Sequence, residues 1–123
     1  MNSAKRFLKS VSFAGRGIAK AWRDEPNFRW EITAALVAIL AALLLKVSYV
    51  GVAVIIMTCS FVIALELINT MIEMISDVLK PRLDEYVKHI KDLTAAAVAV
   101  AALGSIGVAI FLLLPLIINL LWQ

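Results

Sequence analysis

Residues 66–77 of the sequence, ELINTMIEMISD, carry three carboxylates and one amide at helical spacing. Glu66, Asn69, Glu73 and Asp77 fall within roughly 80° of one another on an α-helix. Carboxylates can take a proton from a reacting group, and they can hold a hard cation such as Mg²⁺ together with phosphate oxygens. This acidic stripe, as we call the four residues, therefore indicates general-base chemistry or metal-assisted phosphate chemistry.

The residues of the acidic stripe differ in their surroundings. Glu66 comes directly after the uncharged segment 47–65, whereas Asp77 could be the solvated end of a long helix. Ionisable groups within apolar membrane segments usually face a cavity or a partner and serve function. Glu66 is therefore the best candidate for the group that takes a proton, and Glu73 is better placed to hold a cation. Glu25, in the segment DEPNFRWE, could supply a second carboxylate to that cation.

Several common catalytic sequences are absent from the chain. It contains no GxxxxGK[ST] phosphate loop, no HExxH motif and no GxSxG nucleophile elbow. Its single cysteine, Cys59, has no partner for a disulfide or a CxxC metal site, so we expect it to be a small buried hydrophobic residue. Any nucleotide site must therefore be built from charged side chains near a membrane surface.

The composition places the acidic stripe in a membrane protein. Of the 123 residues, 63% are hydrophobic and the mean hydropathy is +0.94, whereas soluble domains have an apolar share of about 45–50%. The length and the absence of repeats predict one domain over residues 1–123. No removable signal peptide is evident, so we expect Met1 to stay in the mature chain.

Three segments are long and apolar enough to cross a hydrocarbon core, which takes about 20 helical residues. We predict membrane helices over about 29–46, 48–76 and 92–114, with Pro115 ending the last because proline does not continue a regular helix. The aromatic residues typical of membrane interfaces fall near the ends of these segments: Trp22, Trp30, Tyr49 and Trp122. The predicted fold class is an all-α membrane protein.

The distribution of lysine and arginine predicts the orientation of the chain. Seven of these residues lie before the first membrane helix, four lie between the second and the third, and Lys46 alone lies in the first connection. Basic residues are enriched on the cytoplasmic side of membrane proteins. We therefore expect the N-terminus and a 77–92 loop in the cytoplasm and the C-terminus outside.

Residues 5–23 show an amphipathic pattern. On a helical wheel the apolar side chains fall within an arc of about 120°, and five basic side chains cluster opposite them. This pattern predicts an N-terminal surface helix that lies along the membrane. Phe13 falls among the basic residues, where it is either an idle exposed aromatic or a stacking platform for a ligand.

Three helices cannot readily surround a polar stripe on all sides, so we expect oligomerisation to bury it. Small residues recur every four positions in the third membrane helix and suit close packing: Ala97, Ala101, Ser105 and Ala109. Such ridges are common in membrane helices and do not by themselves define a partner.

Taken together, these motifs resemble those of the small prokaryotic diacylglycerol kinase family, which includes undecaprenol kinases. The family pattern E-x-x-N-[ST]-x-x-E-x-x-x-D is matched by Glu66, Asn69, Thr70, Glu73 and Asp77. The downstream K-D before small residues is matched by Lys91 and Asp92. The upstream N/D-E-x-x-x-R is matched by Asp24, Glu25 and Arg29. The resemblance covers roughly residues 5–110.

The resemblance implies an ATP- and Mg²⁺-dependent kinase that phosphorylates a lipid hydroxyl at the cytoplasmic side of the bacterial inner membrane. It also implies a homotrimer with sites formed between neighbouring copies. By position, Glu66 resembles the base that activates the lipid hydroxyl, and Glu25 and Glu73 resemble the metal carboxylates. The nucleotide contacts implied are Arg6, Phe13, Glu25, Glu73, Asp77, Lys91 and Asp92. The lipid-binding or supporting residues implied are Arg6, Arg29, Glu31, Glu66 and Asn69.

One segment departs from the family pattern. Ahead of Lys91 the family shows E-Y-H-x-L, whereas this chain reads KPRLDEYVKHI, with Val87 in place of the histidine. Either residues 82–84 take the usual nucleotide-contact positions, or the loop is rebuilt around Pro81.

The lipid acceptor and the functional class leave alternatives. Diacylglycerol is the first expectation, as the family's general acceptor, and undecaprenol is the alternative. A proton or cation conduit could use the acidic stripe as a relay, but the outer half of the second membrane helix is too apolar for conduction. A non-catalytic membrane subunit would explain the small-residue ridge but not three acids on one stripe. The expected partners are ATP, the membrane lipid and further copies of the chain, with no nucleic acid.

Overall fold

Four helices make up the described part of the chain, which in the computed structural model comprises residues 2–82 and 84–123. They are α1 Ser3–Asp24, α2 Pro26–Leu44, α3 Tyr49–Leu79 and α4 Asp84–Leu121. Helices α2, α3 and α4 are long and apolar enough to cross a membrane, as the sequence predicts. Met1 and Leu83, on which two of the expectations above fall, lie outside the described residues.

The junction between α1 and α2 is a single extended residue, Glu25. Helix α1 begins after Asn2, whose side-chain oxygen accepts a hydrogen bond from the Ala4 amide at 3.0 Å. Pro26 begins α2 at the position where a missing N–H costs least. Nearly all of α1 is exposed, and Ala21 is its buried contact. The location of α1 along a membrane surface stays a prediction.

Helix α3 carries the whole acidic stripe without interruption, as its spacing predicts. The Ser48 hydroxyl caps the start of the helix by accepting a hydrogen bond from the Gly51 amide at 3.1 Å. Because α2 and α3 are joined by residues 45–48 only, they form a hairpin. The start of α2 therefore returns beside the second half of α3.

Helix α4 is longer at its start than the predicted 92–114. It begins at Asp84, and the acids of its first turn, Asp84 and Glu85, interact favourably with the positive end of the helix dipole. The expected 77–92 loop is therefore wrong. Among the described residues, only Lys80, Pro81 and Arg82 lie between α3 and α4.

The expectation that Pro115 ends the last helix is also wrong. Helix α4 continues through Pro115 to Leu121. Proline removes one backbone hydrogen bond, but a chain that leaves the helix inside hydrocarbon exposes many more backbone groups. Continuing the helix is therefore the less costly arrangement at this depth.

The closest packing in the chain is between α3 and α4, and α2 packs mainly on α3. Within the predicted small-residue ridge, the Ser105 hydroxyl donates to Thr58 Oγ1 at 3.4 Å and lies 3.9 Å from Cys59 Sγ. This part of the ridge thus packs against α3 of the same chain. Many large apolar side chains of the spans stay exposed, which suits surfaces that meet lipid or further copies.

Candidate active site

Glu66 lies at the centre of a group of acids. Its side chain is on α3 and only 4% exposed, which agrees with its predicted dry position. The carboxylates of Glu25 and Glu73 are close enough to interact electrostatically with that of Glu66. Glu31, on α2, interacts with Glu66 in the same way. We call Glu25, Glu31, Glu66 and Glu73 the acidic cluster.

The hairpin of α2 and α3 explains why the acidic cluster forms. Glu25 ends α1 and caps α2, and Glu31 lies in the second turn of α2. The hairpin brings both residues beside the part of α3 that carries Glu66 and Glu73. The structure thus unites the predicted base with both predicted metal carboxylates.

The charges around the acidic cluster fit a cation. Among the described residues the ion pairs are Lys20 with Asp24 at 2.9 Å, Arg23 with Asp24 at 3.4 Å, and Lys91 with Asp77 at 3.9 Å. The hydrogen bond from Lys20 holds the pKa of the Asp24 carboxyl below its usual range. Asp24 therefore engages Lys20 and Arg23, two basic side chains near the end of α1.

The acidic cluster itself has no ion pair among the described residues. Carboxylate oxygens are the ligands that Mg²⁺ prefers, and one or two of them are enough when phosphate oxygens and waters complete the shell. No three metal-ligating side chains among the described residues are grouped closely enough to hold an ion alone. Glu25 and Glu73 therefore suit an ion that arrives with a nucleotide.

Asp77 and Lys91 are joined across the base of α3 and α4. Lys91 Nζ lies 3.9 Å from Asp77 Oδ1, and Asp92 is exposed beside Lys91. Val87, which replaces the family's histidine, is 1% exposed and packs at this base. A buried position here favours an apolar side chain, which gives the substitution a packing role.

Arg29 supports the junction at which Glu25 lies. Its Nη1 atom donates hydrogen bonds to the backbone oxygen of Trp22 at 2.8 Å and to that of Arg23 at 3.1 Å. These carbonyls belong to the last turn of α1, where a positive group also interacts favourably with the helix dipole. Arg29 therefore fixes α1 to the start of α2.

Phe13 and Arg6 lie on α1, apart from the acidic cluster. The Arg16 guanidinium carbon is 4.7 Å from the centre of the Phe13 ring, and Lys9 Nζ is 5.7 Å from it. The Phe13 ring is 54% exposed between these two cations. Asn69, by contrast, is half-buried on the acidic stripe between Glu66 and Glu73.

Comparison with known proteins decides the family. The sequence profile described as prokaryotic diacylglycerol kinase matches residues 12–113. The chain belongs to the prokaryotic diacylglycerol kinase family. It is 33% identical over 114 residues to an undecaprenol kinase of Bacillus subtilis, covering 93% of each chain.

Two further relatives are named diacylglycerol kinase. The protein of Synechocystis is 34% identical over 119 residues, which cover 96% of this chain and 68% of the relative. The protein of Escherichia coli K12 is 29% identical over 101 residues, which cover 82% of this chain and 83% of the relative. Family membership makes this protein a lipid kinase and a multi-pass membrane protein, and it favours the kinase hypothesis over the conduit and the non-catalytic subunit.

Sequence reasoning about this kinase missed a cleft that adjoins the acidic cluster. The cleft is lined by residues of α2, α3 and α4, including Glu31, Cys59 and Ser105. Cys59, expected as an ordinary buried residue, is half-buried at this cleft. The signal in the sequence was the recurrence of alanine on both α2 and α4, because small side chains on facing helices leave space between them.

Proposed function

We propose that this protein transfers the γ-phosphate of ATP to the hydroxyl of a membrane lipid at the cytoplasmic surface of the bacterial inner membrane. The observation that carries the proposal is the convergence of four carboxylates at the end of an apolar hairpin in a member of this kinase family. Relatives named diacylglycerol kinase and undecaprenol kinase both match the chain, so both acceptors fit the family.

The residues of the acidic cluster differ in exposure, and this difference assigns them different roles in the reaction. Glu66, buried among apolar residues of α3, takes the proton of the lipid hydroxyl as its oxygen bonds to the γ-phosphorus and ADP departs. Glu73 and Glu25 would hold Mg²⁺ together with the phosphates of the nucleotide. When bound, Mg²⁺ neutralises charge that develops on the transferring phosphoryl group.

The remaining residues position the nucleotide and the lipid. Lys91, Asp77 and Asp92 lie at the base of α3 and α4 and contact the nucleotide. Phe13 stacks on the adenine, and its neighbouring cations, Lys9 and Arg16, attract phosphates. Helix α1 lies along the cytoplasmic membrane surface with its basic side toward headgroups. Three copies assemble so that neighbouring chains complete each site.

One assay tests the proposal directly. Purified protein in mixed micelles is incubated with radiolabelled ATP, Mg²⁺ and either diacylglycerol or undecaprenol, and label in the lipid fraction is measured. We expect transfer to at least one lipid, and we expect none when EDTA replaces Mg²⁺. The absence of labelled lipid with both acceptors, from protein that stays oligomeric, would refute the proposal.

A further inference from the structure

Helix α1 carries a strong positive charge and packs little against the rest of the chain. Residues 1–23 contain six lysines and arginines and no acid, and Asp24 is the single acid of α1. Asp24 pairs with Lys20 and Arg23, whereas the other four cations have no ion pair within the described part of the chain. Ala21 is the buried residue of the helix. The charge of α1 is therefore available to an anionic partner.

The side of α1 opposite its basic residues is apolar and uncovered. Five large side chains on it are 47–69% exposed: Phe7, Leu8, Val11, Ile18 and Trp22. A helix with one cationic and one apolar side binds an anionic lipid surface, because apolar burial and electrostatic attraction act together. One residue, Glu25, joins α1 to α2, which is long and apolar enough to cross a membrane. A lipid surface is therefore the partner within reach of α1.

The joint between α1 and α2 also belongs to the acidic cluster. Glu25 is the extended residue between the two helices, and its carboxylate is close enough to interact electrostatically with that of Glu66. Two exposed hydrogen bonds from Arg29 hold the end of α1. A segment with few buried contacts and exposed hydrogen bonds opens at a low cost in free energy. The direction of α1, and with it the position of Glu25, therefore depends on what α1 binds.

We propose that α1 senses the negative charge of the membrane surface and transmits it to the kinase site through Glu25. On an anionic surface α1 docks with its apolar side in the interface, and docking holds Glu25 beside Glu66 and Glu73, where it would bind Mg²⁺ with the nucleotide. On a neutral surface α1 docks less, and Glu25 is in place less often. The inference rests on the proposed function, because it takes the acidic cluster as the kinase site, and it adds activation by anionic lipid.

The first test measures docking without ATP or an acceptor lipid. The variant Ala14→Cys/Cys59→Ser, with its thiol on the apolar side of α1, is labelled with the polarity-sensitive fluorophore NBD. In phosphatidylcholine nanodiscs, replacement of about one lipid in four by phosphatidylserine should raise and blue-shift the NBD emission. Added salt should weaken the change, since exposed charges are screened. Emission that does not depend on phosphatidylserine overturns the inference, whatever the kinase activity.

The second test measures activation in the same two kinds of bilayer. Phosphatidylserine has no free hydroxyl to accept phosphate, so its effect is not that of a substrate. At a fixed mole fraction of acceptor lipid, we expect phosphatidylserine to raise kcat/KM for MgATP at least about threefold. Equal values in the two bilayers overturn the inference and leave the proposed function standing. Phosphorylation in neither bilayer overturns the proposed function and the regulation with it.

Two double variants remove the same charge from different places. Lys5→Gln/Lys20→Gln takes two cations from the basic side of α1, and Lys80→Gln/Lys88→Gln takes two exposed cations from outside α1. We expect the α1 variant to reduce both the NBD response and the activation by at least about half, and the other variant to change neither. Equal effects of the two variants contradict a specific role of α1.

The transmission is tested at the joint. A short glycine linker inserted between Asp24 and Glu25 keeps both sides of α1 but lets the helix move independently of Glu25. The NBD response should persist, whereas activation by phosphatidylserine should be lost. Activation that survives the insertion overturns transmission through Glu25. Should the insertion variant fail to assemble, the paired lysine variants still decide whether α1 is the sensor.

Discussion

Glu66 and Glu73 are the same residue type on one face of α3, yet their surroundings differ. Glu66 is buried at 4% exposure, whereas Glu73 is only half-buried, two turns closer to the loop between α3 and α4. Removal of charge should therefore have different consequences at the two positions. A dry carboxylate serves proton transfer, and a wetter one can meet a hydrated ion with its phosphates.

We predict that Glu66→Gln lowers kcat by at least about a hundredfold while sparing nucleotide binding, as expected for loss of a general base. Glu73→Gln should instead weaken the binding of Mg²⁺ with nucleotide. Steady-state kinetics and titration with a fluorescent ATP analogue measure both effects. Each variant is the control for the other, because both replace a carboxylate with an amide on one stripe. An unchanged turnover rate in Glu66→Gln would show that the base is elsewhere.

The sequence alone predicts which residues form the acidic stripe, but it does not predict which residues of other helices lie next to them. The spacing of Glu66, Asn69 and Glu73 is local, because helical geometry alone puts them on one face. The approach of Glu31 to Glu66 depends on the register of α2 against α3, which spacing within one segment cannot reveal. For the same reason the role of Cys59 in the cleft wall was not predicted.

At the scale of helices, the orientation of α1 relative to α2 depends on Arg29. Between the two helices Glu25 alone is extended, so little else in the backbone fixes their angle. Arg29 bonds two carbonyls at the end of α1 from within α2. The position of Glu25, and hence of any ion it holds, therefore depends on this contact.

We predict that Arg29→Gln loosens the last turn of α1 and lowers activity. Loss of hydrogen bonds from a charged group costs about 1.5–3 kcal/mol, so amide hydrogen exchange at Glu25, which bonds Ala21 at 2.9 Å, should accelerate. Arg23→Gln is the control, since among the described residues its side chain bonds only the exposed Asp24. Unchanged exchange in Arg29→Gln would show that the junction is held by other contacts.

Gly51 of α3 and Gly104 of α4 differ in how closely other atoms approach them. A Cβ atom at Gly51 of α3 would lie 2.6 Å from Val47 Cγ1 and 3.6 Å from Leu112 of α4, whereas one at Gly104 of α4 would meet nothing within 4 Å. Valine is stiff at χ1, so the contact at Gly51 is not easily relieved. Gly51 is therefore required by the close approach of Val47, which precedes α3, and not by the contact with α4, which is of ordinary length.

We predict that Gly51→Ala destabilises the chain by about 1–2 kcal/mol, because overpacking outweighs the gain in helix propensity. Gly104→Ala should be neutral or stabilising. Thermal unfolding in detergent micelles, followed by circular dichroism, compares the pair. A melting temperature that is equal or higher in Gly51→Ala would contradict the close approach of Val47 to Gly51.

The membrane helices could be predicted because their signal lies within single segments of the sequence. Apolar runs of sufficient length predict α2, α3 and α4, because the hydrocarbon thickness sets helix length. The predicted end of α4 at Pro115 is wrong. In soluble helices proline often ends the helix, but in lipid the backbone must keep its internal hydrogen bonds. The predicted length of the loop after Leu79 is wrong too. Its charged residues suggest a long loop, whereas Asp84 and Glu85 begin a helix.

At the scale of the whole molecule, the length of α1 separates Arg6 from the acidic cluster of the same chain. Arg6 and Glu25 are separated by one continuous helix, and 19 residues of helix span about 28 Å. Arg6 is exposed, and this distance is too long for its side chain to reach Glu25 of its own chain. If Arg6 serves the kinase site, as family resemblance implies, the most direct source is α1 of a neighbouring copy. A shared site of this kind predicts complementation between defective chains.

We predict that Arg6→Ala and Glu66→Gln, each inactive alone, restore activity when they are reassembled together from detergent. In a symmetric assembly that pairs α1 of one copy with the acidic cluster of the next, about one quarter of randomly mixed sites carry neither substitution. Lipid phosphorylation should therefore approach that fraction of the unsubstituted protein. A mixture of Glu66→Gln and Glu73→Gln should stay inactive, since both residues belong to one cluster. Activity no greater than the sum of the separate variants would place the complete site within a single chain.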